Sequence, residues 1–214
     1  MQLHQLIDST LLQPTTTIAD VQLLCADALT YNFAAVCIPP ILVKTAVDAL
    51  KGSTVKVVTV IGFPLGYSAV EAKIAEILLA IVDGVTELDV VINITALKNN
   101  DWQYLAHEIS SIMPIVNKHN VVVKIIIETG LLTDAEIIKC CELYSIAGVH
   151  YLKTSTGYST IGATVHAVTL MRNHLPQHIL IKASGGIGTK VFAQQLIEAG
   201  ASRIGTSKAV ELIS

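Results

Sequence analysis

Two lysines in this sequence close apolar runs and are followed at once by hydroxyls and glycines: Lys153 in YLKTSTG and Lys182 in LIKASGG. A lysine attacks carbonyls only as its neutral amine, and both desolvation and a second nearby cation favour that form. If the two runs are neighbouring parallel strands, about 4.8 Å apart, the ammonium groups approach closely enough for the second effect. Such a pair points to Schiff-base chemistry. The plainer reading, in which each lysine reaches out to solvent or pairs with an acid, suits one strand-end lysine better than two neighbours. Asp89, inside the run ELDVV, adds a carboxylate suited to proton transfer.

Positioning these groups requires strands that end at a common place. Eight apolar runs read as strands: Leu6 to Asp8, then residues near 34–38, 55–61, 86–91, 121–127, 149–153, 179–182 and 202–205. Near-continuous Val/Ile runs are characteristic of strands covered on both faces, and helical patterns separate them here. Ser68 with Glu71 and Thr133 with Glu136 have the spacing of capping boxes at helix starts. Asn32, Gly84, Gly148 and Gly200 each follow a periodic segment, as residues that take a left-handed turn after a helix do. No polar linker divides the chain. This rhythm predicts a single α/β domain over residues 1–214, a (β/α)8 TIM barrel, with an open doubly wound sheet as the competitor.

Counting five residues on from each of those helix stops reaches Cys37, Asp89, Lys153 and Gly205, on the second, fourth, sixth and eighth strands. Alternate strands of such a barrel fill a common interior layer, so the spacing predicts the first three facing one cavity and Gly205 leaving room beside them. Cys37 reads equally as a nucleophile or as pocket lining. Asp8, followed by Ser9 and Thr10, either braces the site or caps a turn. ASGGIGT after Lys182 and IGTSK at the eighth strand fall where barrels of this type grip phosphate, through glycine backbone and helix-start amides. Neither is a dinucleotide fingerprint.

Bulk properties narrow the ligand class. The chain has 214 residues, 52% hydrophobic and 14% charged, with a net charge of -3 that gives no general attraction to nucleic acid or anionic membranes. A mean hydropathy of +0.60 invites a membrane reading. The apolar runs refuse it: ILLAIV stops at Asp83, and VVVKIII is broken by Lys124, far short of the ~18 residues that span a bilayer. No basic, then apolar, leader opens the chain, and the four cysteines show no disulfide spacing, so a cytoplasmic protein is expected. The seven histidines are scattered, and HEISS lacks the second histidine of a zinc-protease helix, so no metal site is expected. A small molecule remains the expected partner.

Segments LIDSTLL, AAVCIPP, VIGFPLG, ELDVVINI, KIIIETGLLTD, YLKTSTGY, IKASGGIGT and RIGTS cover almost the whole chain, and in this order it resembles the deoxyribose-phosphate aldolase family. The resemblance implies a cofactor-free class I aldolase that reversibly cleaves 2-deoxy-D-ribose 5-phosphate to D-glyceraldehyde 3-phosphate and acetaldehyde, in deoxyribonucleotide catabolism. It implies Lys153 as Schiff-base lysine, Lys182 as the lysine that lowers its pKa, and Asp89 as acid and base. Asp8 and Cys37 match residues lining the site, and Gly157, Gly185, Gly186, Gly205 and Ser207 match the phosphate loops. A homodimer is plausible for the family. Two positions depart from the pattern: Ser9 where histidine is common, and Gly188 where arginine is common, which weakens the expected phosphate grip. The chain also ends at Ser214, without the longer tail of some relatives. The residues leave two other readings: another phosphosugar barrel enzyme, transaldolase-like or an isomerase, and a non-catalytic sugar-phosphate-binding barrel.

Overall fold

The computed structural model describes residues 2–213; Met1 and Ser214, the ends of the expected domain, lie outside the described residues. Eight parallel strands close into a barrel in sequence order. They are β1 (Ile7–Thr10), β2 (Ala35–Ile38), β3 (Lys56–Ile61), β4 (Glu87–Val91), β5 (Val122–Ile126), β6 (Tyr151–Lys153), β7 (Leu180–Ser184) and β8 (Arg203–Thr206). The helices around them are α1 (Ile18–Tyr31), α2 (Val43–Ala49), α3 (Val70–Val82), α4 (Ile94–Lys98), α5 (Trp102–Lys118), α6 (Asp134–Ala147), α7 (Val165–His174), α8 (Lys190–Glu198) and α9 (Ala209–Ile213). The (β/α)8 barrel is therefore the fold, and the open sheet is excluded by the pairing of β1 with β8.

Local chemistry explains most boundaries. The Thr133 hydroxyl accepts from the Glu136 amide and the Glu136 carboxylate accepts from Thr133, which closes the capping box of α6. The box expected at Ser68 does not form. Helix α3 takes Ala69 as its N-cap, so Ser68 stands one residue outside and Glu71 one residue short of the position a box needs. Asn32 and Gly148 cap α1 and α6 in the left-handed conformation, as their types suggest.

Side chains alternate across each strand, and the two faces differ in kind. Ile7, Val36, Ile61, Leu88, Val90, Val123, Ile125, Leu152, Ile181 and Ile204 face the helices and are buried in the main core. The inward set is mixed. Ala35, Cys37, Val58 and Val60 make a small apolar cluster on the β2 and β3 side. Opposite, the paired positions Glu87 and Asp89, Lys124, Tyr151 and Lys153, Lys182, Arg203 and Asp8 bring charge into the barrel. Two strand ends differ from expectation: β1 runs on past Asp8 to Thr10, and β7 runs on past Lys182 to Ser184. Both residues consequently lie within the ladder rather than at its edge.

Candidate active site

Register places the two lysines side by side, Lys153 opposite Lys182 on neighbouring strands. They do not touch each other directly; both reach the same carboxylate oxygen. Asp89 Oδ2 accepts from Lys153 Nζ at 2.7 Å and from Lys182 Nζ at 2.8 Å, while Oδ1 accepts from Lys124 Nζ at 3.0 Å. Lys182 also donates to Asp8 at 2.5 Å. Asp8 in turn meets Arg203 at 2.6 Å, Arg203 meets Glu87 at 3.3 Å, and Lys124 lies 2.6 Å from Glu87 Oε2. The last contact is an ion pair off-axis for a hydrogen bond.

Burial is near complete, so each charge depends on its partners. Burial lowers the pKa of Lys153, the Lys182 charge adds to that, and together they outweigh Asp89. Lys182 moves the other way: burial opposes its charge, but Asp8 and Asp89 prevail and hold it protonated. Burial would raise Asp89, yet Lys124, Lys153 and Lys182 bring it well below the carboxylate range. Asp8 falls to about 2 in spite of burial, through Lys182, Arg203 and Lys124. Two neighbouring lysines are thus tuned in opposite directions, one toward the free amine and one toward a fixed cation. Cys37, pushed up to about 11 by burial, stays a thiol beside them and does not suit a nucleophilic role.

Above this network lies a cavity of about 660 Å³. Of the residues singled out in the sequence, Lys153, Gly157, Gly185, Gly186, Gly205 and Ser207 line it. Asp8, Cys37, Asp89 and Lys182 do not; they are fully buried beneath its floor. Lys153 is the group of the network that faces both ways. At Gly205 a Cβ would come within 3.1 Å of the Lys182 Cε, which accounts for the space expected there. At Gly185, with φ +89, a Cβ would meet the Gly157 backbone at 3.3 Å, so the loops after β6 and β7 clasp without side chains. The amides of Gly186, Gly188 and Ser207 donate to no protein group among the described residues. Gly186 and Gly188 border the cavity ahead of α8 and Ser207 borders it ahead of α9, and these amides are suited to an anion.

Several contributors escaped the sequence reading. Lys124 was read only as a break in an apolar run, although a charge inside a strand covered on both faces is itself the signal. Glu87 and Arg203 open their strands and complete the network from below, with the Tyr151 ring 5.9 Å from both Lys124 and Arg203. Glu128, buried at φ +55, accepts from the Thr156 amide and hydroxyl and fixes the cavity wall at Thr156. Lys208 is the charged side chain at the cavity rim, held only loosely by Glu211 at 3.5 Å.

Comparison with known proteins places the chain among aldolases. Residues 3–208 match the DeoC/LacD family aldolase model. The deoxyribose-phosphate aldolase of Caldanaerobacter subterraneus subsp. tengcongensis is 44% identical over 214 residues, covering 100% of this chain and 93% of that protein. That of Thermococcus kodakarensis is 46% identical, covering 99% and 96%. Among solved structures, the tetrameric deoxyribose phosphate aldolase of Aeropyrum pernix superposes with a TM-score of 0.92 at 34% identity, covering 99% of this chain and 89% of that one.

Proposed function

The chain belongs to the DeoC/LacD family of aldolases, and on that premise we propose that it reversibly cleaves 2-deoxy-D-ribose 5-phosphate to D-glyceraldehyde 3-phosphate and acetaldehyde through a Schiff base on Lys153. The observation that carries this reading is one buried lysine of lowered pKa, 2.7 Å from the Asp89 carboxylate, at the floor of a cavity whose rim holds free amides and Lys208. The neutral Lys153 amine adds to the C1 aldehyde, and loss of water gives an iminium. The C2–C3 bond then breaks as the C3 hydroxyl loses its proton, the electron pair passes into the iminium, and glyceraldehyde 3-phosphate leaves. Protonation of the remaining enamine at C2, followed by addition of water, releases acetaldehyde and restores the amine.

Asp89 and Lys182 serve the proton transfers. They are hydrogen-bonded to each other, and Asp89 also contacts Lys153, so a proton can pass along the series without entering bulk water. Asp89 rests as a carboxylate and Lys182 as an ammonium, so the resting proton of the pair lies on Lys182. The phosphate belongs at the Gly186, Gly188 and Ser207 amides, with Lys208 supplying the cation that position 188 lacks. The proposal extends to cytoplasmic deoxyribonucleotide catabolism and to a homodimer, the latter read by sedimentation. Among the described residues no helix is long and apolar enough to cross a membrane.

Borohydride reduction in the presence of acetaldehyde, followed by peptide mass mapping, tests the central step. An adduct on Lys153 is expected. An adduct on Lys182 alone exchanges the two roles, and folded protein with no adduct on either lysine eliminates Schiff-base catalysis.

A further inference from the structure

Six charged side chains inside the barrel close into a ring. Asp8 contacts Arg203, Arg203 contacts Glu87, Glu87 contacts Lys124, Lys124 contacts Asp89, Asp89 contacts Lys182, and Lys182 returns to Asp8, with every step between 2.5 and 3.3 Å. Acid and base alternate all the way round. With each member ionised, Asp8, Glu87 and Asp89 cancel Lys124, Lys182 and Arg203, and the ring is neutral. Lys153 is attached to it from above through Asp89. A proton on Lys153 is therefore the unmatched charge of the whole assembly, at a side chain only 3% exposed.

The other groups around Lys153 stand outside the ring and are the same in every variant compared below. Cys37 from β2 stays protonated. Glu128, after β5, is raised by burial and drawn back by Thr156 and by the Lys153 charge, and its carboxylate is bonded to Thr156 and not to Lys153. Asp89 from β4, Lys182 from β7, Asp8 from β1 and Lys124 from β5 are the ring itself.

We propose that Glu87 and Arg203, neither of which touches Lys153, are positioning residues: by completing a neutral ring they set the fraction of Lys153 that is present as free amine. Without Arg203 the ring carries a net negative charge and Lys153 holds its proton more tightly. Without Glu87 the ring carries a net positive charge and Lys153 loses its proton more readily. The register runs from Lys153 to Lys182 to Arg203, two strand spacings or roughly 10 Å. A unit charge at that distance, with an effective dielectric of about 20, moves a pKa by roughly one unit. A purely structural role predicts something else. Loosening the barrel admits water, relieves the desolvation of Lys153 and raises its pKa in both variants alike.

This inference rests on Lys153 being the imine-forming residue, and the test separates the two claims. The rate of cyanoborohydride-trapped acetaldehyde adduct on Lys153 is measured against pH in the native protein, Arg203→Met, Arg203→Lys and Glu87→Gln. The midpoint is expected to rise by about one unit in Arg203→Met, to stay in place in Arg203→Lys and to fall in Glu87→Gln. Midpoints that do not move, or that move the same way in Arg203→Met and Glu87→Gln, overturn the ring while leaving the Schiff base standing. If Arg203→Met fails to fold, a fall or no fall in Glu87→Gln decides the matter. No adduct on Lys153 in native protein at any pH removes the parent reading and this one with it.

Discussion

Two buried lysines invite comparison. Lys73 and Lys153 are both almost wholly enclosed, each lies within 2.7 Å of a carboxylate, and burial lowers the pKa of both. Lys73 reaches from α3 to Glu108 on α5, outside the barrel, and its ammonium also donates to the Val91 carbonyl at 2.7 Å. The second Glu108 oxygen accepts from the Asn93 amide at 3.3 Å. Lys73 hydrogen-bonds one acid and one backbone carbonyl, with Glu76 adding to the hold on its charge. Lys153 instead shares its acid with Lys124 and Lys182 and borders a cavity. A lowered lysine pKa is thus shared by a strut and a candidate nucleophile. What separates them is the count of partners and the open side.

The sharpest division between the two sites is between activity and stability. Lys153→Met is expected to lower kcat/KM by about 10⁴-fold or more, as loss of a covalent nucleophile does. It should not lower Tm, because the charge removed is the unmatched one. Lys73→Met is expected to cost about 3–5 kcal/mol of stability, since it strands Glu108 without its cation, and to leave kcat unchanged in the protein that remains folded. Assays of kcat/KM beside thermal melts decide this. The comparison breaks if Lys153→Met melts as early as Lys73→Met.

The same contrast shows what the sequence could reveal. Lys153 and Lys182 were legible because each follows an apolar run and precedes glycines, and four helix stops fixed the even-strand layer through a constant five-residue offset. Glu87 and Arg203 lie three residues after the helix stops Gly84 and Gly200, one inward layer below the positions five residues on, while Lys124 on β5 has none of the four stops before its strand. Their meaning comes only from register, which pairs Asp89 with Lys124 and Lys182 with Arg203. Lys73 was equally silent, since a lysine in a helical pattern ordinarily faces water. Chain-local signals located the elements and the loops. Partnerships across 35 to 195 residues needed the fold.

A change at the open side of the Lys153 region should be gentler. Lys208 is half-exposed at the rim, and its stem passes 3.6 Å from where a Cβ on Gly188 would stand. Lys208→Gln is expected to raise KM for deoxyribose 5-phosphate about tenfold, in line with losing one charge-assisted hydrogen bond, without changing kcat. KM for unphosphorylated deoxyribose should stay where it is. Adding Gly188→Arg to that variant should recover part of the loss, since the new guanidinium enters the space Lys208 leaves. Equal weakening of both substrates would mean that Lys208 shapes the rim and does not contact phosphate.

The smallest effect expected is one of sign. Asp8 has a folded pKa of about 2 against 3.8 for the ordinary carboxyl, so the unfolded chain binds its proton first. Its contribution to stability is complete above 3.8 and is lost as pH falls toward 2. Glu108 is raised above its ordinary 4.5, chiefly by burial that its lysine does not fully offset. Between 4.5 and that raised value the folded protein holds a proton the unfolded chain has released, so this group's contribution weakens as pH rises. Urea midpoints of native protein and Glu108→Gln, compared from pH 2 to pH 7, isolate the second effect. Their difference should favour the native protein more as pH falls toward 4.5, while both collapse together below 3.8, where Asp8 is protonated on unfolding. A difference that instead grew with pH would mean that Lys73 stabilises an ionised Glu108 outright. The helix-packed pair would then be tuned like Asp89, and partner count would no longer distinguish the two sites.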